Sequence, residues 1–334
     1  MAEDTAVLDA LWAGRLQLGF GAQHHFRTEF GRLPSPLVLL AAIAQCTRRI
    51  ELGTGLVTLP LEDPLRLAED ATVLDVLSIG RVQLRLGSGG ANTDAFSAFG
   101  IDAGTRQTRS TASLERLEQA LSGTPLAPGA SAAADARNTD DQNDDAQAAP
   151  LRLQPPAAGM RERLWHSRSS PEGARLAAAH GNGLLLGTAV HDPRGVQLPL
   201  AQAYLAAWRE RADAASRAPR LGVVRAVFPA ADRRTALAEL ADDVLRLIPW
   251  LAATGHPGVT KPAAILRLLN VHHGHPDEVI ESQRADPALF PIASYFLPAV
   301  QSERSSLDQS PRRRPTPAET IAPALDWRPA LRAT

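Results

Sequence analysis

Short apolar runs alternate with longer apolar or amphipathic runs along most of the chain, which is the pattern of a parallel sheet covered by helices. The short runs predict seven strands, at residues 16–22, 49–59, 81–88, 163–167, 183–187, 220–228 and 294–300. Helices are predicted between them, at 35–47, 63–78, 105–122, 169–181, 199–215 and 232–254. The pattern therefore predicts an α/β protein, and its strand count is close to the eight of a closed (β/α)8 barrel.

Two stretches interrupt this alternation. Residues 129–150 have no apolar period and are dominated by Ala, Asp, Asn and Gln, which predicts a disordered surface insertion or, alternatively, an acidic docking segment. Residues 310–319, SPRRRPTPAE, predict a solvated linker rich in Pro and Arg that leads to a short terminal helix. No pair of half-chains repeats, so residues 1–334 are predicted to form a single domain.

Composition and charge narrow the classes of function. The formal net charge is -1, from 35 basic and 36 acidic residues, which does not favour nucleic acid as a partner. Cys46 is the single cysteine, so an intrachain disulfide is excluded and a reducing cytosol fits. No apolar run approaches the roughly 20 residues of a membrane span, and the acidic N-terminus is unlike a signal peptide. We therefore expect a cytoplasmic protein with no membrane partner.

Residues 34–90 contain a series of motifs in a fixed order: the strand RRIELGTG, a Pro-containing turn before DPLRLAED, and the turn LSIGR before the next strand. This segment resembles the bacterial luciferase-like monooxygenase family, whose members are flavin-dependent (β/α)8 barrels. Weaker agreement at SSPEGARLAAAHGNGLLLG, VHHGHPDEVI and APALDWRP extends the resemblance over most of the chain. Family members have a strand and a helix before the position of Leu16, so we expect a TIM-barrel-type fold that lacks the first strand.

Binding groups of such barrels lie at the C-terminal ends of the strands. Gly53, Thr54 and Gly55 interrupt a predicted strand and would leave room for a flat ring, or alternatively would accommodate barrel curvature. The resemblance implies that Thr54, Gly55 and Leu56 lie beneath the flavin ring, and that the Gly55–Leu56 bond is a cis peptide.

The sequence GSGG follows the next predicted strand and is too short for a dinucleotide fingerprint. We interpret it as a glycine-lined loop that lets a ligand approach the backbone, with Gly87 and Ser88 as cofactor-binding residues. Loop flexibility alone is the alternative interpretation.

The segment SRSSPEG predicts a helix start that could bind phosphate. Ser169 and Glu172 have the spacing of a capping box, and Ser170 with Pro171 forms an alternative cap. Free N–H groups and the positive end of the helix favour an anion there, and Arg168 could add charge. The resemblance implies that this segment holds the phosphate of flavin mononucleotide (FMN), whereas a plain helix start is the alternative.

Two adjacent histidines follow the first predicted strand, in QHHF. The stretch resembles the EHHF of the family, and the resemblance implies that His24 is the catalytic base near the flavin. An imidazole suits this role because its ordinary pKa of about 6.5 allows proton exchange near neutrality. His25 is interpreted as structural. Gln23 stands where the family often has an acidic residue. Its amide can orient the imidazole ring by hydrogen bonding, but it cannot stabilise the charged form of the ring as a carboxylate does.

A second histidine cluster, VHHGHP, contains His272, His273 and His275. Because no cysteine is near and the Gly-Pro context is typical of a turn, we predict no metal site. His166 points to the barrel rim or to the core, depending on the register of its strand.

The resemblance implies an oxidoreductase, namely a flavin-dependent monooxygenase that oxidises a small organic substrate with O2 and reduced FMN from a separate flavin reductase. Two alternatives stay open. One is an oxidoreductase of the same superfamily that uses the deazaflavin coenzyme F420. The other is a non-catalytic partner subunit, which Gln23 and the lacking strand favour. Homodimers are common in the family, so a homodimer is a further expectation.

Overall fold

The computed structural model describes residues 17–20, 35–90, 93–128, 149–290, 292–299 and 320–325. These residues group into two compact units that divide between Leu164 and Trp165, with Gln17 assigned to the second unit. The prediction of a single domain stays a prediction. Residues 129–148 and the predicted linker at 310–319 lie outside the described residues, as does everything before Gln17, where a first strand would stand.

The first unit combines short parallel strands with helices. Its strands are β1 (Gln17–Phe20), β2 (Glu51–Thr54), β3 (Val57–Thr58) and β4 (Val82–Gly87). Its helices are α1 (Pro36–Cys46), α2 (Pro64–Leu77), α3 (Thr93–Ala98) and α4 (Arg106–Leu121). Strand β4 pairs in parallel with both β2 and β3, through the partners Leu52↔Val82 and Val57↔Leu86. The strand predicted at 49–59 is therefore two strands, interrupted at Gly55 and Leu56.

Helix ends in this unit are fixed by polar side chains. Asp63 caps α2 because its carboxylate accepts hydrogen bonds from Leu65 N and Arg66 N, as its position before Pro64 suggests. Ser35 precedes α1 but makes no capping hydrogen bond with its side chain. At the other end of α1, the buried Arg81 donates to the carbonyls of Ala44, Thr47, Ile50 and Ser78 and to Thr47 Oγ1.

Residues on either side of 129–148 are joined by an antiparallel bridge between Ala127 and Leu151. Leu151 N donates to Ala127 O over 2.9 Å, and Leu126 N donates to Leu151 O over 2.8 Å. The chain then reaches Arg163, whose guanidinium forms a half-buried ion pair with Asp75 of α2 and donates to Gly80 O and Val82 O. The segment that follows residue 148 is thereby tied to the α2–β4 turn.

The second unit contains the other parallel strands: β5 (Leu164–Ser167), β6 (Gly183–Leu186), β7 (Leu221–Pro229), β8 (His272–Gly274) and β9 (Tyr295–Ala299). The first half of β7 pairs with β6 and β9, and its last residues pair with β8. The helices are α5 (Pro171–Ala179), α6 (Leu198–Arg209), α7 (Arg233–Leu245), α8 (Ile248–Ala253), α9 (Pro262–Leu268), α10 (Pro276–Arg284) and α11 (Ala322–Ala324). Leu184, Leu186 and Val223 pack against α5 and α6 in the largest described core cluster.

All seven predicted strands are confirmed, the second of them as the two strands β2 and β3. The helix predicted at 232–254 is two helices, because Pro249 cannot continue α7 but fits the first turn of α8. Strand β8 was not predicted, since the three residues His272–Gly274 include no apolar side chain. Helices α3, α9 and α10 were not predicted either. In the described part of the chain, every helix is too short or too polar to cross a bilayer.

Candidate functional site

Thr54 ends β2 and connects it to β4 through its side chain. Its buried hydroxyl donates to Arg85 O over 2.9 Å and accepts from Arg85 N over 2.8 Å. The hydroxyl thus replaces a pair of backbone hydrogen bonds at the point where β2 stops pairing with β4. Both the proton and one lone pair of Thr54 Oγ1 are therefore used within the sheet.

The space above Gly53 is filled by Arg85. A Cβ atom on Gly53 would overlap the Arg85 guanidinium, which is fully buried and donates to Thr54 O over 3.3 Å. The expectation that Gly53 leaves room for a flat ring is wrong, because a side chain from the neighbouring strand occupies that room. Gly53 is required for the packing of β4 against β2.

Leu56 and Gly87 do come together at the ends of their strands. Thr58 pairs with Gly87 between β3 and β4, and a Cβ on Gly87 would lie 3.1 Å from Leu56 Cδ1. Gly55 lies between β2 and β3. The expected cis peptide at Gly55–Leu56 is wrong: the cis bond recorded among the described residues is Gln154–Pro155.

The glycine loop after β4 packs against its own unit and lies beside an arginine. Gly89 has φ +72°, and a Cβ there would lie 2.5 Å from Thr58 Cγ2 and 2.9 Å from Phe96 Cε2. Arg106, at the start of α4, has its Nε 4.0 Å from the Cβ position of Gly90. Sequence reasoning missed this cation, although an arginine at the start of the helix that follows a glycine loop is a usable signal. Arg106 could hold an anionic group of a ligand.

The segment SRSSPEG, predicted to bind phosphate, begins α5, and Ser170 rather than Ser169 is its N-cap. Ser170 Oγ accepts from Gly173 N over 3.1 Å, and Pro171 occupies the first turn, where its missing N–H costs nothing. The capping box of Ser169 and Glu172 is therefore wrong. Ser169 and Ser170 are both exposed, and the hydroxyl proton of Ser170 is still available as a donor.

Arg168 lies against the same helix start. Its Cδ is 3.2 Å from the position of a Cβ on Gly173, so the aliphatic stem packs on the first turn of α5. Its Nη2 is 3.2 Å from His166 Nδ1, and Asn182 Nδ2 is 3.0 Å from His166 Nε2. His166 is buried, so of its two predicted orientations the one toward the core is correct.

The three histidines near β8 have separate structural contacts. His272 Nδ1 lies 2.9 Å from Ser282 Oγ, and its Nε2 lies 3.6 Å from Asp286 Oδ2. His273 Nδ1 lies 3.1 Å from Val271 O. His275 begins α10 rather than a turn, in a capping box with Glu278. Across the described ranges, no group of His, Cys, Asp or Glu side chains is arranged to hold a metal ion.

Gln23, His24 and His25 lie outside the described residues. The role of His24 as a base and the structural role of His25 therefore stay predictions. Of the other predicted residues, Thr54, Gly55, Leu56, Gly87 and Ser88 lie in the first unit, whereas Ser169 and Ser170 lie in the second.

Comparison with known proteins identifies relatives of this fold. One relative, the 4-hydroxyprotoasukamycin monooxygenase of Streptomyces nodosus subsp. asukaensis, is 33% identical over 174 residues, which are 52% of this chain and 41% of the relative. The chain thus spans about half the length, or less, of the first curated relatives that it matches.

Two solved structures cover nearly all of the chain. The oxygenating constituent of 3,6-diketocamphane monooxygenase from the CAM plasmid of Pseudomonas putida, in complex with FMN, aligns with a TM-score of 0.73 and 19% identity over 98% of this chain and 93% of its own. An F420-dependent secondary alcohol dehydrogenase, in complex with an F420-acetone adduct, aligns with a TM-score of 0.67 and 15% identity over 97% and 94%. These likenesses show the α/β fold of luciferase-like TIM-barrel type.

The family itself follows from the sequence match. The model described as luciferase-like monooxygenase matches residues 22–288, which is most of the chain and includes both units. Taken with the fold, the match shows that this chain belongs to the luciferase-like monooxygenase family.

Proposed function

We propose that this protein is a flavin-dependent monooxygenase that oxidises a small organic substrate with O2 and reduced FMN. The observation that carries the proposal is the start of α5, where an exposed helix N-terminus, two serine hydroxyls and the stem of Arg168 come together in a member of this family. Helix N-termini with hydroxyls and a guanidinium match the charge and the acceptor geometry of a phosphate monoester.

The residues at the start of α5 have a defined role in this proposal. Ser170 caps the helix with its oxygen and donates its proton to a phosphate oxygen, while Ser169 donates from the preceding position. The helix dipole and the charge of Arg168 favour a dianion over a neutral hydroxymethyl group. A flavin that carries a phosphate is therefore favoured over riboflavin.

The strand ends of the first unit are proposed to contact the flavin ring. Leu56 and Gly87 present a small apolar surface on which a flat ring could lie, and Thr54 holds β2 to β4 beneath it. The bound flavin would supply the oxygen chemistry. His24 is proposed to accept or return a proton beside it, since a neutral imidazole is a base near pH 7.

Two partners belong to this proposal. A separate flavin reductase would supply reduced FMN, as the description of one structural neighbour as an oxygenating constituent suggests. The second partner is another copy of this chain.

A second candidate function has a specific observation in its favour. The F420-dependent dehydrogenase aligns over 97% of this chain, so a dehydrogenase or reductase that uses F420 without oxygen chemistry is the alternative. A non-catalytic partner subunit is the remaining alternative, and it predicts that neither cofactor binds.

The test is an anaerobic fluorescence titration with oxidised FMN, photoreduced FMN, riboflavin and F420. We expect micromolar binding of FMN and weaker binding of riboflavin. Ser170→Asp should weaken FMN binding by about tenfold or more, because an aspartate still caps the helix but repels phosphate. Ser216→Ala, at an exposed turn serine of the same unit, is the matched control and should bind as the wild type does.

Preferential binding of F420 would contradict the FMN-dependent monooxygenase and favour a dehydrogenase or reductase that uses F420. Binding of neither cofactor in either redox state would contradict an enzyme of this class and favour the partner-subunit alternative.

A further inference from the structure

Asn270 holds the loop that follows β6, which comprises residues 188–191 and is called the β6 loop. Its Nδ2 donates to Ala189 O over 2.7 Å and to His191 O over 3.0 Å. Carbonyl oxygens only accept hydrogen bonds, so the amide nitrogen of Asn270, and not its oxygen, faces both of them. The two N–H groups of this amide therefore match two carbonyls of a loop that lies far away in the sequence.

The backbone of Asn270 adopts the left-handed conformation, with φ +55°. The residue follows the C-cap of α9, where Val271 N donates to Leu266 O and Asn270 N donates to Arg267 O. This pair of bonds closes a helix at a left-handed residue, and that residue is usually glycine because glycine has no Cβ. An asparagine here keeps a side chain at a conformational cost, and this side chain is the one that holds the β6 loop.

Gln197 is the second anchor of the β6 loop. It is buried and ends a π-helical turn, Pro193–Gln197. Its Nε2 donates to Thr188 O over 3.3 Å, and its Oε1 accepts from Arg225 Nη2 over 2.7 Å. Because a guanidinium can only donate, Arg225 fixes which end of the amide faces Thr188. Arg225 is itself held by Asp286, so this anchor rests on a buried ion pair.

Two uncommon backbone features thus serve one loop. A π-helical turn and a left-handed asparagine each place an amide on the β6 loop, and together they bind the carbonyls of three of its four residues. Such features are frequent at functional sites. The β6 loop lies at the C-terminal end of its strand, where barrels of this type bind their ligands. Strand β5, which leads to α5, pairs in parallel with β6, so the loop and the start of α5 lie at the same edge of the sheet.

The side chains of the β6 loop carry no charge at neutral pH. They are Thr188, Ala189, Val190 and His191. Burial lowers the pKa of His191 from its ordinary value, so its imidazole is neutral at pH 7. Largely apolar, uncharged surfaces suit the flat ring system of a flavin, whereas a phosphate requires donors with positive charge.

We propose that Asn270 is a positioning residue that fixes the β6 loop, with Gln197 as its second anchor, in the conformation that meets the flavin ring. The inference rests on the proposed function, because it names what orders a loop that contacts the flavin. Neither amide touches the flavin, since both act through the loop. A loop that is ordered before binding loses less conformational entropy on binding, and the affinity is higher for this reason.

Asn270→Gly separates this role from the capping of α9. Glycine adopts the left-handed conformation without strain, which offsets the loss of the two hydrogen bonds, so the thermal midpoint should change little. We expect faster amide hydrogen exchange in the β6 loop, measured by mass spectrometry. The dissociation constants for FMN and riboflavin, measured by fluorescence quenching, should both rise by about fivefold to tenfold, because the ring is common to the two ligands.

Ile79→Gly is the matched control. In the described part of the chain, Ile79 and Asn270 are the two non-glycine residues with positive φ, and Ile79 has φ +57°. The substitution removes the same kind of strain in the first unit, so loop exchange and flavin binding should remain as in the wild type. Asn270→Asp keeps the size of the side chain but sets a carboxylate against two carbonyl oxygens. It should weaken flavin binding at least as much as Asn270→Gly does.

The outcomes distinguish this inference from the proposed function. If the wild type binds neither flavin, the proposed function is wrong and the inference fails with it. If the wild type binds FMN and Asn270→Gly binds both flavins equally well, Asn270 only caps α9, and the inference alone is wrong. A loss of affinity confined to FMN would contradict the contact with the ring, while the proposed function stands.

Discussion

Asp286 shows how a single buried carboxylate joins a strand to a loop in the second unit. Its Oδ2 lies 2.6 Å from Arg225 Nε of β7, and its Oδ1 accepts from the backbone N–H groups of Ala288 and Leu289. Burial by itself would raise the pKa of Asp286, but the contacts with His272 and Arg225 outweigh it and hold this pKa well below its ordinary range. Asp286 is therefore charged throughout the neutral and mildly acidic range.

Asp286→Asn should lower the free energy of unfolding at pH 7 by about 3–5 kcal/mol, because it leaves Arg225 buried without its counter-charge. The folded-state pKa is depressed, so the stabilisation by the carboxylate is complete above the unfolded pKa of about 3.9 and is lost as pH falls below it. In urea titrations the difference between variant and wild type should therefore be constant above about pH 5 and narrow progressively as the pH falls below about 4.

The matched control for Asp286 is Asp70→Asn on the exposed face of α2. Asp70 lies 4.0 Å from Arg66, and both side chains are exposed, so little change in stability is expected. Equal losses for the two variants would contradict the assigned role of the buried pair.

At the scale of elements, two glycines with nearly the same φ angle can be compared to test whether the loop after β4 needs a glycine for packing as well as for backbone conformation. Gly80, between α2 and β4, has φ +75° and no neighbour within 4 Å of a Cβ position. Gly89 has φ +72°, but a Cβ there would collide with Thr58 and Phe96. A side chain at either site would pay the cost of a left-handed backbone conformation, but only at Gly89 would it also collide with its neighbours.

Gly80→Ala should lower the free energy of unfolding by about 1–2 kcal/mol, the cost of the left-handed conformation. Gly89→Ala should add an overpacking cost of about 1–3 kcal/mol. Thermal unfolding followed by circular dichroism measures both. If Gly89→Ala proves no worse than Gly80→Ala, the loop is flexible and its glycines do not serve packing.

The sequence predicted elements well wherever apolar periodicity was strong. Strands β2 to β7 are largely buried runs, so hydrophobic pattern alone locates them. Strand β8 was missed because its three residues are polar or glycine, so no apolar pattern marks their pairing with β7. The contact between Arg85 and Gly53 and the one between His166 and Arg168 depend on side-chain directions across or beyond a strand, which periodicity does not encode.

At the scale of the whole molecule, the first unit exposes apolar side chains on one face of α1 and α2. Val38, Val73 and Val76 are 70%, 47% and 62% exposed, and Ile79 in the turn after α2 is 78% exposed. A groove of about 550 Å³ runs between the two helices. Contiguous exposed apolar surface of this kind marks contact surfaces between proteins.

We expect a second copy of the chain to cover this face. Leu77→Asp should then shift the protein from dimer to monomer in size-exclusion chromatography with light scattering. Leu176→Asp in α5 is the control, because the two leucines are 46% and 44% exposed and only Leu77 lies on the apolar face. A wild-type monomer, or equal effects of the two substitutions, would contradict this prediction.

The bridge between Ala127 and Leu151 has a practical consequence for engineering. It holds together the two ends of the chain that flank residues 129–148, so a foreign sequence placed there would begin and end at neighbouring points. The entropy of closing a flexible loop grows only with the logarithm of its length, and doubling the length costs about 0.6 kcal/mol. An affinity tag or a fluorescent reporter could therefore be carried at this position with almost no loss of stability in the unit that bears it.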